Sequence, residues 1–309
     1  SGKSFFLSRP RRFGKSLLVD TMKALFEGER ALFTGLAAET RWDWSRRHPV
    51  IRISLGGGVV SSEAGLVQRI QHGLRGNFRA LGLARADDIP FDDVAGHLAD
   101  LIERAHAASG QQAVVLVDEY DKPILDNITE PATARLMREG LRNLYSVLKE
   151  MDAHLKFVFL TGVSKFSKVS LFSGLNNLRD ITLDARWSAL CGYTDADIDT
   201  VFAPELPGLD RAQIRRWYNG YNWGGTSVYN PFDVLLLFQN RTFQPYWFET
   251  GTPTFLVKLL AERQFFTPDL SRLQSDASLL SSFDVERIEP EALLFQAGYL
   301  TLHGSTPAT

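Results

Sequence analysis

The sequence predicts a three-layer α/β fold built on a parallel sheet, and three stretches carry that prediction. Residues 4–8 (Ser-Phe-Phe-Leu-Ser) read as a short apolar strand that runs through a basic loop into a helical pattern with Leu18, Met22, Leu25 and Phe26 at helical spacing. Residues 113–117 (Ala-Val-Val-Leu-Val) are apolar without interruption, as expected of a strand buried on both faces. Residues 155–162 (Leu-Lys-Phe-Val-Phe-Leu-Thr-Gly) read as another buried strand, ending in polar Thr161. Buried strands separated by helical segments are the pattern of a sheet with helices on both faces.

The first loop carries chemistry. Gly14-Lys15-Ser16 is the tail of the phosphate-binding pattern G-x-x-x-x-G-K-[ST]. A glycine lets the backbone curl with its N–H groups inward, and the start of the following helix adds unpaired N–H groups to the same anion site. Lys15 is placed to reach the β- and γ-phosphates, and Ser16 to offer a hydroxyl to Mg²⁺. Arg11, Arg12, Phe13, Gly14, Lys15, Ser16 and Leu17 are the candidate nucleotide-binding residues. The first glycine of the pattern falls at residue 9, where Arg9 stands, followed by Pro10 with its fixed φ. The loop alone leaves nucleotide binding and a plain strand-turn-helix both open. Ser1-Gly2-Lys3-Ser4 imitates the motif's tail but precedes a strand.

Along the chain, residues 49–55 read as a second strand closed by Gly56-Gly57-Gly58. Helical patterns follow over 61–81 and 91–107, the latter with Val94, Leu98, Leu101 and Ile102 on one face. After the 113–117 strand, a long helix over 132–151 shows a stripe of Leu136, Leu141, Leu144 and Leu148. A short fifth strand is expected at 180–183. The character shifts near residue 190 to short helices and aromatic-rich turns. The expected organisation is a core over 1–190 and a mainly helical lid over 191–309. Thr194 is placed as a helix cap. Residues 218–231 read as a hairpin-like insert, with further helices near 232–238, 254–262 and 290–297.

Asp118 and Glu119 stand at the C-terminal end of the 113–117 strand, where ligands gather in open α/β sheets. A phosphate-binding loop needs an acidic group at the end of an adjacent buried strand to hold Mg²⁺, and Asp118 is placed for that. Glu119 is placed to orient and deprotonate an attacking water. Acidic residues also cap strand ends without function, but both signals in this order favour the catalytic reading. Thr161 could touch the γ-phosphate or satisfy local backbone; Ser164, Lys165 and Lys168 are weaker candidates at the same edge.

Composition excludes several classes. The chain has 309 residues, 44% hydrophobic and 23% charged, with a net charge of −2, so no basic field argues for nucleic acid. The single cysteine, Cys191, forbids an internal disulfide, fits a reducing cytoplasm, and reads as a small core residue. No apolar run reaches membrane length. The 6 histidines show no metal-ligand spacing. Tyr218, Tyr221 and Trp223 lack interleaved basic residues and read as packing rather than base stacking. The chain starts without methionine and ends in a loose 304–309, so a fragment of a longer protein is expected.

Residues 9–16 (Arg-Pro-Arg-Arg-Phe-Gly-Lys-Ser), 118–123 (Asp-Glu-Tyr-Asp-Lys-Pro), 160–165 (Leu-Thr-Gly-Val-Ser-Lys), 172–178 and 217–221 together resemble the AAA-ATPase-like proteins of bacteria and archaea. Arg9 in the first-glycine position is similar to that family too. The resemblance implies a P-loop NTPase core with a helical lid, ATP and Mg²⁺ as ligands, and often a following PD-(D/E)XK nuclease-like domain. None of the 9 lysines has an acidic residue two positions upstream, so any such domain lies beyond Thr309. The expected function is Mg-dependent ATP hydrolysis coupled to an effector, with Lys15, Glu119 and Thr161 as catalytic residues and Ser16 and Asp118 as metal ligands. The alternative is a nucleotide-gated interaction module with little turnover. An arginine supplied in trans would imply a homo-oligomer, with Arg179 and Arg186 as guesses.

Overall fold

In the computed structural model, residues 2–166, 171–172, 175, 177–251, 254–262 and 290–302 are described. Five strands form one parallel sheet: β1 (Ser4–Ser8), β2 (Val50–Ser54), β3 (Ala113–Asp118), β4 (Leu155–Gly162) and the two-residue β5 (Arg179–Asp180). Their spatial order is β2-β3-β4-β1-β5. The sequence reading placed the Asp118 strand next to the loop's strand; instead β4 lies between β1 and β3 and pairs with both. Chain order does not set spatial order where helical crossovers join parallel strands. The registers Ser8↔Gly162, Val117↔Leu160 and Ser54↔Asp118 bring four strand ends level at one edge. Asp118 and the β1 exit thus share that edge, one strand apart.

The sheet is covered on both faces. β3 is buried throughout: Val115 and Val117 pack into one cluster and Val114 and Leu116 into another on the opposite face. The first cluster takes in α3 (Glu63–Ala80), α4 (Val94–Ser109) and α6 (Pro131–Glu150). The second is closed by α1 (Lys15–Glu27) through Val19 and Phe26, with Leu18 and Met22 partly buried against it. Val19, not Leu25, completes the stripe of α1. On α6 the stripe runs Met137, Leu141, Leu144 and Leu148, while Leu136 is exposed. A one-residue choice moves a side chain about 100° around a helix, so four leucines in one pattern did not fix the face. Short helices α2 (Ala38–Arg41) and α5 (Lys122–Leu125) follow β1-α1 and β3 respectively.

Beyond Cys191 the described residues are mainly helical: α7 (Asp195–Thr200), α8 (Arg211–Tyr218), α9 (Pro231–Asn240), α10 (Tyr246–Gly251), α11 (Thr254–Glu262) and α12 (Pro290–Gln296). Thr194 caps α7 in a full capping box with Asp197. Between α8 and α9, β6 (Asn219–Tyr221) and β7 (Val228–Tyr229) pair antiparallel, the expected hairpin. This part has its own cluster of Ile198, Ile214, Tyr229, Val234 and Leu237. It also reaches back: Ala292 and Leu293 of α12 join the first core cluster. Among the described residues no helix is long and apolar enough to cross a membrane.

Candidate functional site

The loop between β1 and α1 is shaped by two left-handed residues, Arg12 (φ 63°) and Gly14 (φ 77°). Gly14 is the N-cap of α1, so the first N–H groups of a 13-residue helix open onto the loop. Ser16 and Leu17 are exposed at that opening, and the Ser16 hydroxyl makes no hydrogen bond among the described residues. Lys15 is buried; its Nζ donates to the carbonyls of Arg9 at 2.9 Å and Pro10 at 2.8 Å. Burial pulls its pKa down, against the opposing pull of Asp121, Cys191, Asp118 and Glu119.

Arg9 does what the generic pattern gives to a glycine's absence of side chain in an unexpected way: its side chain is fully buried and clasped by backbone. The guanidinium donates to the carbonyls of Ser8 (2.9 Å), Thr182 (3.0 Å), Trp187 (3.1 Å) and Leu190 (3.2 Å). Its carbon lies 4.0 Å from the centre of the Trp223 ring, a cation–π contact. Burial pushes its pKa down to about 10. Phe13, also fully buried, packs edge-on against Tyr221 (4.8 Å) and Trp223 (5.1 Å). Trp247 Nε1 donates to the Arg11 carbonyl at 3.0 Å. Tyr221 and Trp223 are thus packing residues, as expected, and what they pack is the loop. Cys191 sits beside the same loop and its thiol is pushed up to about 11 by burial, the state of an inert core cysteine.

Opposite the loop, β3 delivers its carboxylates. Asp118 is buried, and its Oδ1 has no hydrogen-bond partner. Its Oδ2 lies 4.0 Å from the Arg52 guanidinium, which pairs at 2.6 Å with Asp20. A buried carboxylate oxygen without a donor is costly unless something positive completes it. Asp118 and the free hydroxyl of Ser16 are hard oxygen donors and fit Mg²⁺ in chemistry. Glu119 takes a left-handed backbone (φ 53°), a conformation costing roughly 1–2 kcal/mol for a non-glycine residue. The turn lays its carboxylate over Gly56, where an added Cβ would stand 2.2 Å from Oε2. Burial and the Asp118 charge raise the Glu119 pKa.

Asp121 is the acidic residue that the sequence reading left unused. Its Oδ2 accepts from the N–H groups of Val163 (3.0 Å) and Ser164 (2.6 Å) and from the Ser164 hydroxyl (2.5 Å). Tyr120 adds its hydroxyl, which donates to the Ser164 carbonyl and accepts from the Phe166 N–H, both at 3.1 Å. These two side chains bind the exit of β4 to the exit of β3. The signal was present in the polar run after Asp118, but the partner segment lies about forty residues on.

A cavity of about 840 Å³ joins these parts. Arg11, Arg12, Phe13, Gly14, Lys15, Ser16 and Leu17 line it, facing Gly56, Glu119 and Asp121. Apolar Val59 and Leu125 close one side, and Tyr193, Pro231 and Phe232 from the C-terminal part another. Arg12 lies 5.0 Å over the Phe232 ring. Thr161 does not line the cavity; it is fully buried and its hydroxyl donates to the Leu7 carbonyl at 2.8 Å, the backbone-satisfying alternative. Ser164 is held by Asp121, and Lys165 pairs with Asp180 at 2.6 Å. Lys168 lies outside the described residues. Arg179 and Arg186 both pair with Asp184, whose carboxyl they hold well below its usual range. Among the described residues no group of three or more histidine, cysteine, aspartate or glutamate side chains could hold a metal ion, at this edge or elsewhere.

A glycine-lysine-serine loop at a helix start, with a glutamate across the cavity from it and an orphaned aspartate, itself outside the cavity lining, at the same sheet edge, is consistent with a P-loop NTPase core. A family model described as Predicted AAA-ATPase matches residues 1–172. The chain belongs to this family. The AAA-ATPase-like chain is also 62% identical over 301 residues to the "Uncharacterized protein in vnfD 5'region" of Azotobacter chroococcum mcd 1. That similarity covers 97% of this chain and 58% of the relative, so the chain spans a little over half of the relative's length. No solved structure matches the chain.

The Glu119–Gly56 contact makes a direct prediction. Gly56→Ala is expected to leave the melting temperature within about 2 °C, because the atom it meets is the free end of a side chain. On the ATPase function proposed below, it is expected to lower turnover about tenfold or more by moving that carboxylate. Steady-state phosphate release beside a thermal melt checks both; unchanged turnover would show that the Glu119 position is not set by Gly56.

Proposed function

We propose that this chain binds ATP with Mg²⁺ and hydrolyses it. The observation that carries the reading is the meeting, in one cavity, of the Gly14-Lys15-Ser16 loop and the Glu119 carboxylate, with the orphaned Asp118 oxygen at the same edge. Gly14 and the start of α1 hold phosphate oxygens through backbone N–H groups. Lys15 exchanges its two loop carbonyls for phosphate, and Arg11 or Arg12 adds charge at the mouth. Ser16 and Asp118 would hold the metal, which would neutralise phosphate charge. Glu119, with its raised pKa, orients a water for in-line attack on the γ-phosphoryl group and accepts its proton. Tyr193 and Phe232 offer apolar surface at the cavity side. Residues 1–190 are the catalytic core in this reading and 191–309 the helical lid; an effector domain or a second copy would couple to it.

A nucleotide-gated switch is the second reading, and one set of contacts favours it. Tyr221, Trp223 and Trp247 of the C-terminal part hold Phe13 and the Arg11 carbonyl, so any loop movement on binding is passed to that part.

Calorimetry with ATP and Mg²⁺ tests the reading. The parent is expected to bind, and Lys15→Ala to bind at least about 100-fold more weakly, since it removes a charge-assisted contact from a buried site. Equal binding by both chains would remove the loop from the nucleotide site, and binding by neither would leave the fold as a scaffold.

A further inference from the structure

A second, smaller cavity of about 490 Å³ lies in the C-terminal part. Its lining is mostly aromatic: Trp217 and Tyr218 of α8, Tyr221 of β6, and Trp247 and Phe248 of α10. Neighbouring rings are turned rather than stacked. Tyr221 and Trp247 meet at 70° with centres 6.5 Å apart, and Trp247 and Phe248 at 82° with centres 5.2 Å apart. Rings set this way make the walls of a box. Trp217 and Phe248 are exposed and stand at its mouth.

One carboxylate belongs to this lining. Asp233 of α9 is 7% exposed, and its Oδ1 accepts the Trp247 N–H at 2.7 Å. No lysine or arginine pairs with it among the described residues, although Arg216 lines the same cavity and is itself exposed. Burial pushes its carboxyl up to about 6, the mark of a charge without a counter-charge. Aromatic faces attract cations through the ring quadrupole, and a carboxylate in the same box adds Coulomb attraction. Five of the nine lining residues are aromatic, beside Arg216, Asn219, Asp233 and Pro245, and ring faces give an N–H group no strong acceptor, so a cation that carries methyl groups in place of hydrogens loses least against them.

We propose that this aromatic cavity is a binding site for a methylated ammonium group, with Asp233 as its counter-charge. The site does not depend on the nucleotide reading. It does adjoin the loop: Trp247, one of its walls, donates its indole N–H to the Arg11 carbonyl, and Tyr221, another, packs on Phe13.

The test is a choline titration of the whole chain at pH 8, followed by tryptophan fluorescence. The uncharged isostere 3,3-dimethyl-1-butanol serves as the control for shape. Choline is expected to saturate and to bind at least about tenfold more tightly than the isostere. Asp233→Asn keeps an acceptor for the Trp247 N–H and is expected to weaken choline about tenfold, with the isostere unchanged. Trp217→Ala removes a mouth wall and is expected to weaken choline several-fold. Arg216→Gln, at an exposed position, is expected to tighten choline about threefold by removing like charge. Equal binding of choline and the isostere overturns the proposal. So does an Asp233→Asn variant that folds and binds as the parent does, which would leave Asp233 as a cap for Trp247. If Asp233→Asn does not fold, the Arg216→Gln result decides: no tightening overturns the proposal.

Discussion

Glu119→Gln is expected to lower ATP turnover at least about 100-fold while leaving ATP affinity within about threefold. The amide keeps the shape and the contact with Gly56 but cannot take a proton. Glu119 is the residue on which the enzyme and switch readings part. It is held in a left-handed backbone conformation that a non-glycine residue adopts only at a cost, and that turn aims the carboxylate into the cavity. Strain of this kind at a cavity edge is what a positioned catalytic group looks like. Single-turnover and steady-state phosphate release, with calorimetry for affinity, separate the outcomes. A variant that hydrolyses ATP at the parent's rate would falsify the assigned base and move the weight to the switch.

Arg9→Gly would make the loop match the generic phosphate-binding pattern more closely, and it is expected to destabilise the chain by roughly 3 kcal/mol. Four carbonyls, of Ser8, Thr182, Trp187 and Leu190, lose their donor together, and Trp223 loses the group stacked on it. A buried acceptor left without a donor costs about 1 kcal/mol or more, and glycine adds backbone freedom to the unfolded chain. In a thermal melt the loss corresponds to a fall of about 4–6 °C for a chain of this size. Arg9→Lys is expected to recover only part of it, because an ammonium cannot reach four carbonyls in a planar fork. A melt of Arg9→Gly at the parent's temperature would show that the clasp does not hold the loop. The two experiments also separate chemistry from scaffold: Glu119→Gln should melt like the parent, and Arg9→Gly should not.

The contrast between these residues explains how far the sequence could be read. Glu119 was visible because its neighbours in the chain are its context: a buried run of valines, then Asp118 and Glu119 at the strand's end. The loop was visible for the same reason, since Gly14, Lys15 and Ser16 act through the backbone turn that they themselves make. Arg9 read as a departure from a pattern, because three of its four partners lie 173 to 181 residues away. Asp121 was passed over although it stands two residues after Glu119, since its meaning lies in Val163 and Ser164. Thr161 was placed at the right edge, but strand alternation alone did not tell whether its hydroxyl faces the cavity or the Leu7 carbonyl.

Local pattern was thus enough for the α/β class, the strand and helix series, the strand-to-helix loop of Gly14, Lys15 and Ser16 and the position of the acidic pair at a strand end, because each is specified by residues within one turn or one strand of each other. Which strand lies beside β1, which face of α6 is buried, how a buried arginine replaces a glycine, and which aromatic side chains hold the loop were settled by packing between segments far apart in the chain. A parallel sheet joins its strands through long crossovers, and no residue of a crossover carries the identity of the strand it will meet. The cavity at that edge exists because β1, β3 and the C-terminal part converge there, and convergence is a property of the fold rather than of any one stretch.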